Sequence, residues 1–372
     1  MKVLVLTAIE NPLPSSLVYT QTILPARLTG KAKVVSLVHL RDFFLRRIKR
    51  PHGVWIFPLL YPLRYRDFHL GAIHIPFFIL FNLPIFLFVL LLTRPSLVHA
   101  RSYPASLLAW LGSFIFPYRF LFDPRGKYPE EGVMMGRFKK RDYKVWKRFE
   151  KLFIKRAWIK IGVSMPHVRE LGERTIFIPP LVDTQKFTPG KKKRRKKWVV
   201  VHLGNFGHLS DCELVAKLAS SLNAFLYVLH PCPENFEYIR KVLEEEGVKE
   251  YEIKKLEREE VVEYLREADL GTLLEEESLT TPIAMGTKLP EYLACGVPVV
   301  VTPYVRGAVE VVEKYECGVV VDPEREKPKI DKKEIERMRE RARRCAEEVF
   351  SLKKGVEKLR RLYEGSLPLT PH

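Results

Sequence analysis

Short apolar runs alternate with longer amphipathic stretches from one end of the chain to the other. Runs of this length, rich in Val, Ile, Leu and Phe, suit strands buried on both faces of a parallel sheet. The first half predicts strands over Lys2–Thr7, Lys33–Val38, Val54–Phe57, Leu97–Ala100, Arg119–Phe122 and Ile159–Val163. A second series predicts them over Trp198–Leu203, Phe225–Leu229, Glu250–Lys254, Leu270–Leu274, Val297–Val301 and Gly318–Val321. Amphipathic periodicity predicts helices over Lys140–Arg156, Ser210–Ser221, Pro233–Glu246, Arg258–Glu267, Leu289–Ala294 and Ala308–Tyr315. One long charged helix is expected from Lys332 to Tyr363. Such alternation is the mark of βαβ units, and it points to an α/β fold with two parallel sheets.

The two series meet at Ile178–Pro189, where three prolines interrupt the chain. Proline has no N–H to give to a ladder, so this stretch reads as an extended connection. The domain reading is therefore residues 1–180, a linker over 181–197, a second domain over 198–345, and a helix and tail over 346–372 that cross back.

One segment departs from the pattern. His74 to Leu92 contains no charge, and its length approaches the roughly 20 apolar residues that span a bilayer. Pro76, Asn82 and Pro84 weaken it as a straight span. Spanning would also separate the first strands from those with which they share a sheet. Two readings remain open: a helix resting one side on lipid, or one wholly buried. Arg46, Arg47, Lys49, Arg50, Arg64 and Arg66 lie nearby in sequence and favour an anionic membrane surface.

The charge, +19, widens the set of anionic partners to nucleic acid, membrane and phosphorylated substrates. Lys191–Lys197 is an unbroken run of seven cations, but the rest of the chain is basic as well. Cys212, Cys232, Cys295, Cys317 and Cys345 show no Cys-x-x-Cys pairing, which fits free thiols in a reducing cytosol. The opening apolar run breaks at Glu10 and Asn11; it reads as a strand rather than a leader.

The richest chemistry lies in Gly286–Thr302. Gly286 and Thr287 precede a short helix ending at Gly296, so the backbone N–H groups of Thr287, Lys288 and Leu289 open toward an anion. Lys288 adds a full positive charge. Glu291, three residues on, shares its helical face and can accept hydrogen bonds from the vicinal hydroxyls of a ribose. A simple exposed Lys–Glu pair is the competing reading. Val201–His208 runs from a strand into a turn in which Gly204, Asn205 and Gly207 can approach a diphosphate. No Gly-x-Gly-x-x-Gly, no Walker pattern and no Asp-x-Asp motif is present, so no dinucleotide cofactor and no metal are expected.

These residues resemble the nucleotide-binding core of family 4 glycosyltransferases: Lys288, then Glu291-Tyr-Leu-Ala294, Gly296 and Pro298-Val-Val300, continued by Gly307–Glu313 and Cys317–Pro323. The linker Pro180–Pro189 is similar to the family's interdomain segment. The resemblance implies a GT-B fold, two Rossmann-like domains whose parallel sheets face across a cleft holding the donor, with a C-terminal helix crossing back. It implies transfer of a sugar from a UDP- or GDP-linked donor with retention of anomeric configuration. Glu291 matches the second glutamate of the family's motif and by that match binds the donor ribose. The first glutamate is absent, since Ile283 holds its position; Thr280, Thr281 or the Ala284–Gly286 backbone are the available substitutes.

In the first domain, Leu97–Tyr103 and Phe122–Glu131 each begin at the carboxyl end of an expected strand, the edge where open α/β sheets bind ligands. Arg101, Asp123, Arg125 and Lys127 are accordingly acceptor-side candidates, with Asp123 orienting a hydroxyl and Arg125 holding a phosphate. A salt bridge that merely fixes the loop competes with this reading. Asp123, Arg125 and Lys288 form the catalytic set, and the acceptor is expected to be lipid-linked or a saccharide. The histidines are scattered and receive no role. Two other classes stand beside this one. A basic nucleic-acid-binding protein lacks an RRM, KH or helix-turn-helix signature, and a nucleotide-sugar epimerase lacks a visible carboxylate set. The expected setting is the cytoplasm, with peripheral membrane contact.

Overall fold

The computed structural model describes all residues except 10–11, 13–15, 40–42, 44–51, 61–68, 191–196, 207–210, 256–259, 327–329 and 368–372. Gly207, the Lys191–Lys197 run apart from Lys197, and Arg46, Arg47, Lys49, Arg50, Arg64 and Arg66 lie outside the described residues. Two compact units emerge. The first comprises Met1–Val163, His167–Ile178 and Gly355–His372; the second comprises Ser164–Pro166 and Pro179–Lys354.

The first unit is built on seven parallel strands: β1 (Val3–Ala8), β2 (Ala32–His39), β3 (Val54–Leu59), β4 (Leu97–Arg101), β5 (Arg119–Asp123), β6 (Ile159–Gly162) and β7 (Thr175–Phe177). Their order across the sheet is β3-β2-β1-β4-β5-β6-β7. The direction of winding reverses between β1 and β4, which opens a crevice beyond the carboxyl ends of those strands. Strand β7 has three residues and was not expected; its apolar run is too short to stand out from its surroundings.

The second unit carries β8 (Val199–Leu203), β9 (Phe225–Leu229), β10 (Glu250–Lys254), β11 (Leu270–Leu273), β12 (Val299–Val301) and β13 (Gly318–Val320), ordered β10-β9-β8-β11-β12-β13 and all parallel. Its switch point falls between β8 and β11. Helices cover both sheets, and the core strands are apolar at nearly every position because neither face meets water.

Four helices matter below. The apolar run forms α1 (Ile75–Thr93), which packs Phe78, Phe86, Val89 and Leu90 into the core of the first unit. Asn82 is buried in it and hydrogen-bonds the backbone of Leu60 in both directions, accepting at 3.0 Å and donating at 3.2 Å. Next come α2 (Tyr103–Gly112) and α3 (Lys140–Arg156). In the second unit α4 (Leu289–Ala294) is short and entirely buried.

The single long C-terminal helix is corrected to two, α5 (Lys332–Cys345) and α6 (Leu352–Glu364). A π-turn over Ala346–Phe350 and an extended Ser351 separate them. Val182 of the linker causes the break: its N–H donates to the Phe350 carbonyl and its carbonyl accepts from the Leu352 N–H. Backbone groups that a continuous helix would have paired internally are satisfied by the linker instead. The distal end of α6 then buries Leu359, Leu362 and Tyr363 in the first unit.

Candidate functional site: a lysine–glutamate pair against a glycine turn

In the second unit, α4 is positioned by Tyr292. Its hydroxyl accepts from the Leu203 N–H of β8 at 2.7 Å, and its ring lies against Gly271 of β11, where an added Cβ would meet ring carbon at 2.5 Å. Any larger residue at position 271 would collide with this ring. One tyrosine thus fastens α4 across the two strands flanking the switch point.

That fastening sets Lys288 and Glu291. The Lys288 Nζ lies 3.5 Å from Glu291 Oε2, with the lysine side chain one-third exposed and the glutamate nearly buried. The stem of Lys288 runs over Gly204, the residue after β8, whose φ of +109° favours glycine and whose missing Cβ would sit 3.3 Å from Lys288 Cε. Gly204 and the Lys288–Glu291 pair, separated by more than 80 residues in sequence, are therefore brought together. Asn205 is exposed beside them, in contact with Cys232. Thr287 is exposed, and Leu289 is buried with only its backbone to offer. The helix end is a weaker donor array than its sequence suggested. Pro290 has no N–H, and the Glu291 and Tyr292 N–H groups already donate to the Lys288 carbonyl.

Sequence reasoning gave no role to His202, Phe206, His230 or Glu275. His202 is buried in β8, bonded to Thr272 Oγ1 at 3.0 Å and stacked on Phe206 at 4.1 Å; burial lowers its pKa to about 3 and keeps it neutral. Phe206 in turn stacks on His230 at 5.8 Å. Glu275 follows β11 and is desolvated; burial, and then the like charge of Asp211, push its carboxyl up to about 7. A histidine inside an otherwise apolar strand was the available signal, because a buried imidazole has to find partners.

At the carboxyl edge of the first unit the charges are tied to one another. His99, within β4, bonds Tyr363 Oη through Nδ1 at 2.7 Å and Asp123 Oδ2 through Nε2 at 3.0 Å. Arg125 Nε donates to Asp123 at 3.0 Å, and Arg125 Nη2 donates to the Gln21 carbonyl at 2.8 Å. Burial alone would raise the Asp123 pKa, but Arg125, His99 and Arg101 outweigh it and hold the carboxyl well below the usual carboxylate range. Arg101 is buried and donates to Thr22 Oγ1, and Lys127 pairs with Glu170 at 2.8 Å. Asp123, for which the sequence suggested contact with an acceptor hydroxyl, has no exposed surface, and its carboxylate bonds Arg125 and His99. Ile9, Ser102 and Arg125, just past the neighbouring strands β1, β4 and β5, all hold positive φ, from 63° to 71°. Left-handed backbone at such residues costs energy and clusters where an edge is shaped for a ligand.

Comparison with known proteins adds the lineage. Residues 183–349 match the family model for glycosyl transferases group 1. No curated protein matches the chain significantly in sequence. Among solved structures, sucrose-phosphate synthase from Thermosynechococcus elongatus superimposes with a TM-score of 0.74 at 15% identity, over 98% of each chain. A glycosyltransferase from Rickettsia africae gives 0.69 at 16% identity, over 99% of each chain. HepE from Anabaena, solved with UDP and glucose, gives 0.65 at 16% identity, over 99% of this chain and 100% of its own. The chain thus has the GT-B fold, and residues 183–349 of its second unit match the glycosyl transferases group 1 model.

Proposed function

We propose that this protein transfers a sugar from a nucleoside-diphosphate sugar, UDP- or GDP-linked, to a hydroxyl of a lipid-linked or saccharide acceptor. The observation that carries the reading is the Lys288–Glu291 pair laid against the Gly204 turn at the switch point of the second sheet. In this reading Glu291 accepts from the ribose hydroxyls, while Lys288 and the turn's backbone face the diphosphate. The bond between the anomeric carbon and the phosphate oxygen breaks, a bond to the acceptor oxygen forms, and the acceptor proton passes to the departing diphosphate. Charge grows on that diphosphate as the bond opens, so a fixed ammonium beside it lowers the barrier without a metal. The family resemblance supports retention of anomeric configuration. Arg125, held in place by Asp123, is the first unit's candidate for an acceptor-side anion. The five free cysteines are consistent with a reducing cytoplasm.

A thermal-shift screen of UDP, GDP and their sugars tests this. A binder at a hundred times its dissociation constant adds about 2.7 kcal/mol and raises the Tm. Glu291→Gln is expected to abolish most of that shift while leaving the unliganded Tm near wild type. If no nucleotide moves the transition, or if the shift survives in Glu291→Gln and Lys288→Ala alike, the reading is wrong.

A further inference from the structure

Helix α1 is apolar inside and out. Its one polar side chain before Thr93, Asn82, turns inward to Leu60, while Phe77, Leu80, Phe81, Phe88, Leu91 and Leu92 stand 39–65% exposed. These six form one stripe, since their spacings of three, four and seven repeat the turn of a helix. A water-facing helix surface ordinarily carries charge, and an uninterrupted apolar stripe of this length marks a surface that something covers. Beyond α2, whose Gly112 packs against the buried face of α1 at Phe86 and Leu90, Phe114 and Ile115 are also exposed, at 65% and 60%.

The adjoining helix α3 indicates what the cover is. Arg141, Lys144, Arg148, Lys151 and Lys155 are exposed and recur at alternating spacings of three and four, opposite the buried Trp146, Glu150 and Phe153. Among the described residues none of the five has an acidic partner. The acids of α3 are engaged elsewhere: Asp142 accepts from the N–H of Ala72, in the turn that leads into α1, and Glu150 accepts from Tyr103. Cations three and four apart on a helix repel one another, so this row destabilises α3 until an anionic surface neutralises it. The row belongs to the same structure as the apolar stripe. Asp142 ties α3 to α1, and Phe149 of α3 stacks edge-on with Trp110, which stacks in turn with the exposed Phe114.

We infer that the first unit docks on an anionic lipid surface, with α1 lying in the plane of the interface and its exposed stripe among the acyl chains. A crossing orientation, which the length of α1 allows, would strip Phe78, Phe86, Val89 and Leu90 from the core and break the Asn82–Leu60 bonds. A second copy of the chain would bring a second row of cations to the contact, whereas anionic headgroups neutralise the row. This docking stands independently of the sugar-transfer reading.

Co-sedimentation of the full chain with phosphatidylcholine vesicles, with or without phosphatidylserine, tests it. The wild type is expected to pellet with the mixed vesicles and to release partly as salt screens the headgroups. Leu80→Asp combined with Phe88→Asp is expected to weaken binding at least about tenfold on both vesicle types. Arg148→Glu combined with Lys151→Glu is expected to weaken it roughly tenfold on the anionic vesicles alone. Both positions in each pair are exposed, and an unchanged circular dichroism spectrum and Tm show that the fold is intact. Wild-type protein that stays in solution with anionic vesicles overturns the inference, as does undiminished binding by the Leu80, Phe88 variant. Light scattering that shows a vesicle-free dimer which Leu80→Asp dissociates overturns it too, because the stripe then belongs to a second copy.

Discussion

Asp123 in the first unit and Glu291 in the second are both carboxylates with at most 5% of their surface exposed, near the carboxyl edge of a parallel sheet. Their surroundings differ. Asp123 is enclosed by His99, Arg125 and, through His99, Tyr363, so its charge is matched inside the fold. Glu291 has its lysine at 3.5 Å, a looser pairing, and that lysine keeps about a third of its side chain in solvent. The difference separates two uses of buried charge. A network closed inside the fold holds loops and strained backbone in place, whereas a pair whose ammonium keeps contact with solvent beside a bare glycine turn is reachable from outside.

The largest effect that can break this comparison is structural. Asp123→Ala removes the carboxylate from a buried network and leaves Arg125 and His99 without it, a loss of roughly 3–5 kcal/mol. Urea denaturation measures it, and a loss below about 1 kcal/mol would show that the network does not hold the edge together. The same carboxyl gives a pH signature. Its pKa is depressed in the folded state, so its stabilisation is present above the ordinary carboxyl pKa and is lost as the pH falls through the folded value.

Glu275 has the opposite sign. Its pKa is raised to about 7, so the stability linked to its proton is complete below the ordinary carboxyl pKa and disappears as the pH rises through about 7. Glu275→Gln should therefore flatten the pH dependence of the Tm between those limits. At pH 8 it should be more stable than wild type by on the order of 1 kcal/mol. A variant that melts earlier than wild type at pH 8 contradicts this assignment.

Lys288→Ala is expected to have the smallest effect on stability, under about 1 kcal/mol, because the ammonium keeps about a third of its side chain in solvent, and a partly exposed pair contributes little to folding. Nucleotide affinity is where its loss should be felt, by tenfold or more in a titration calorimeter. Equal, large losses of stability at positions 123 and 288 would erase the distinction between the two edges.

Much of the fold was legible because a buried parallel strand announces itself locally. Phe225–Leu229 and Glu250–Lys254 match their expected bounds to the residue, as do Lys140–Arg156 and Leu289–Ala294. The pairing of Lys288 with Glu291 was equally legible, since one helical turn dictates it. What escaped was contingent on distant partners. The break at Ser351 comes from Val182, and the enclosure of Asp123 depends on Tyr363, which lies 264 residues from the His99 that links them.

Apolar periodicity, the proline-marked junction and the Lys288–Glu291 spacing are local properties, and they determined the class of fold, the number of sheets and the residue types at α4. Which charges remain available to a ligand was decided only by tertiary structure. Burial and pairing depend on residues far apart in the chain: Gly204 beneath Lys288, Gly271 beneath Tyr292, and Asn82 turning inward to leave one face of α1 bare. No window along the sequence contains both members of such a contact, so only folding could set them side by side.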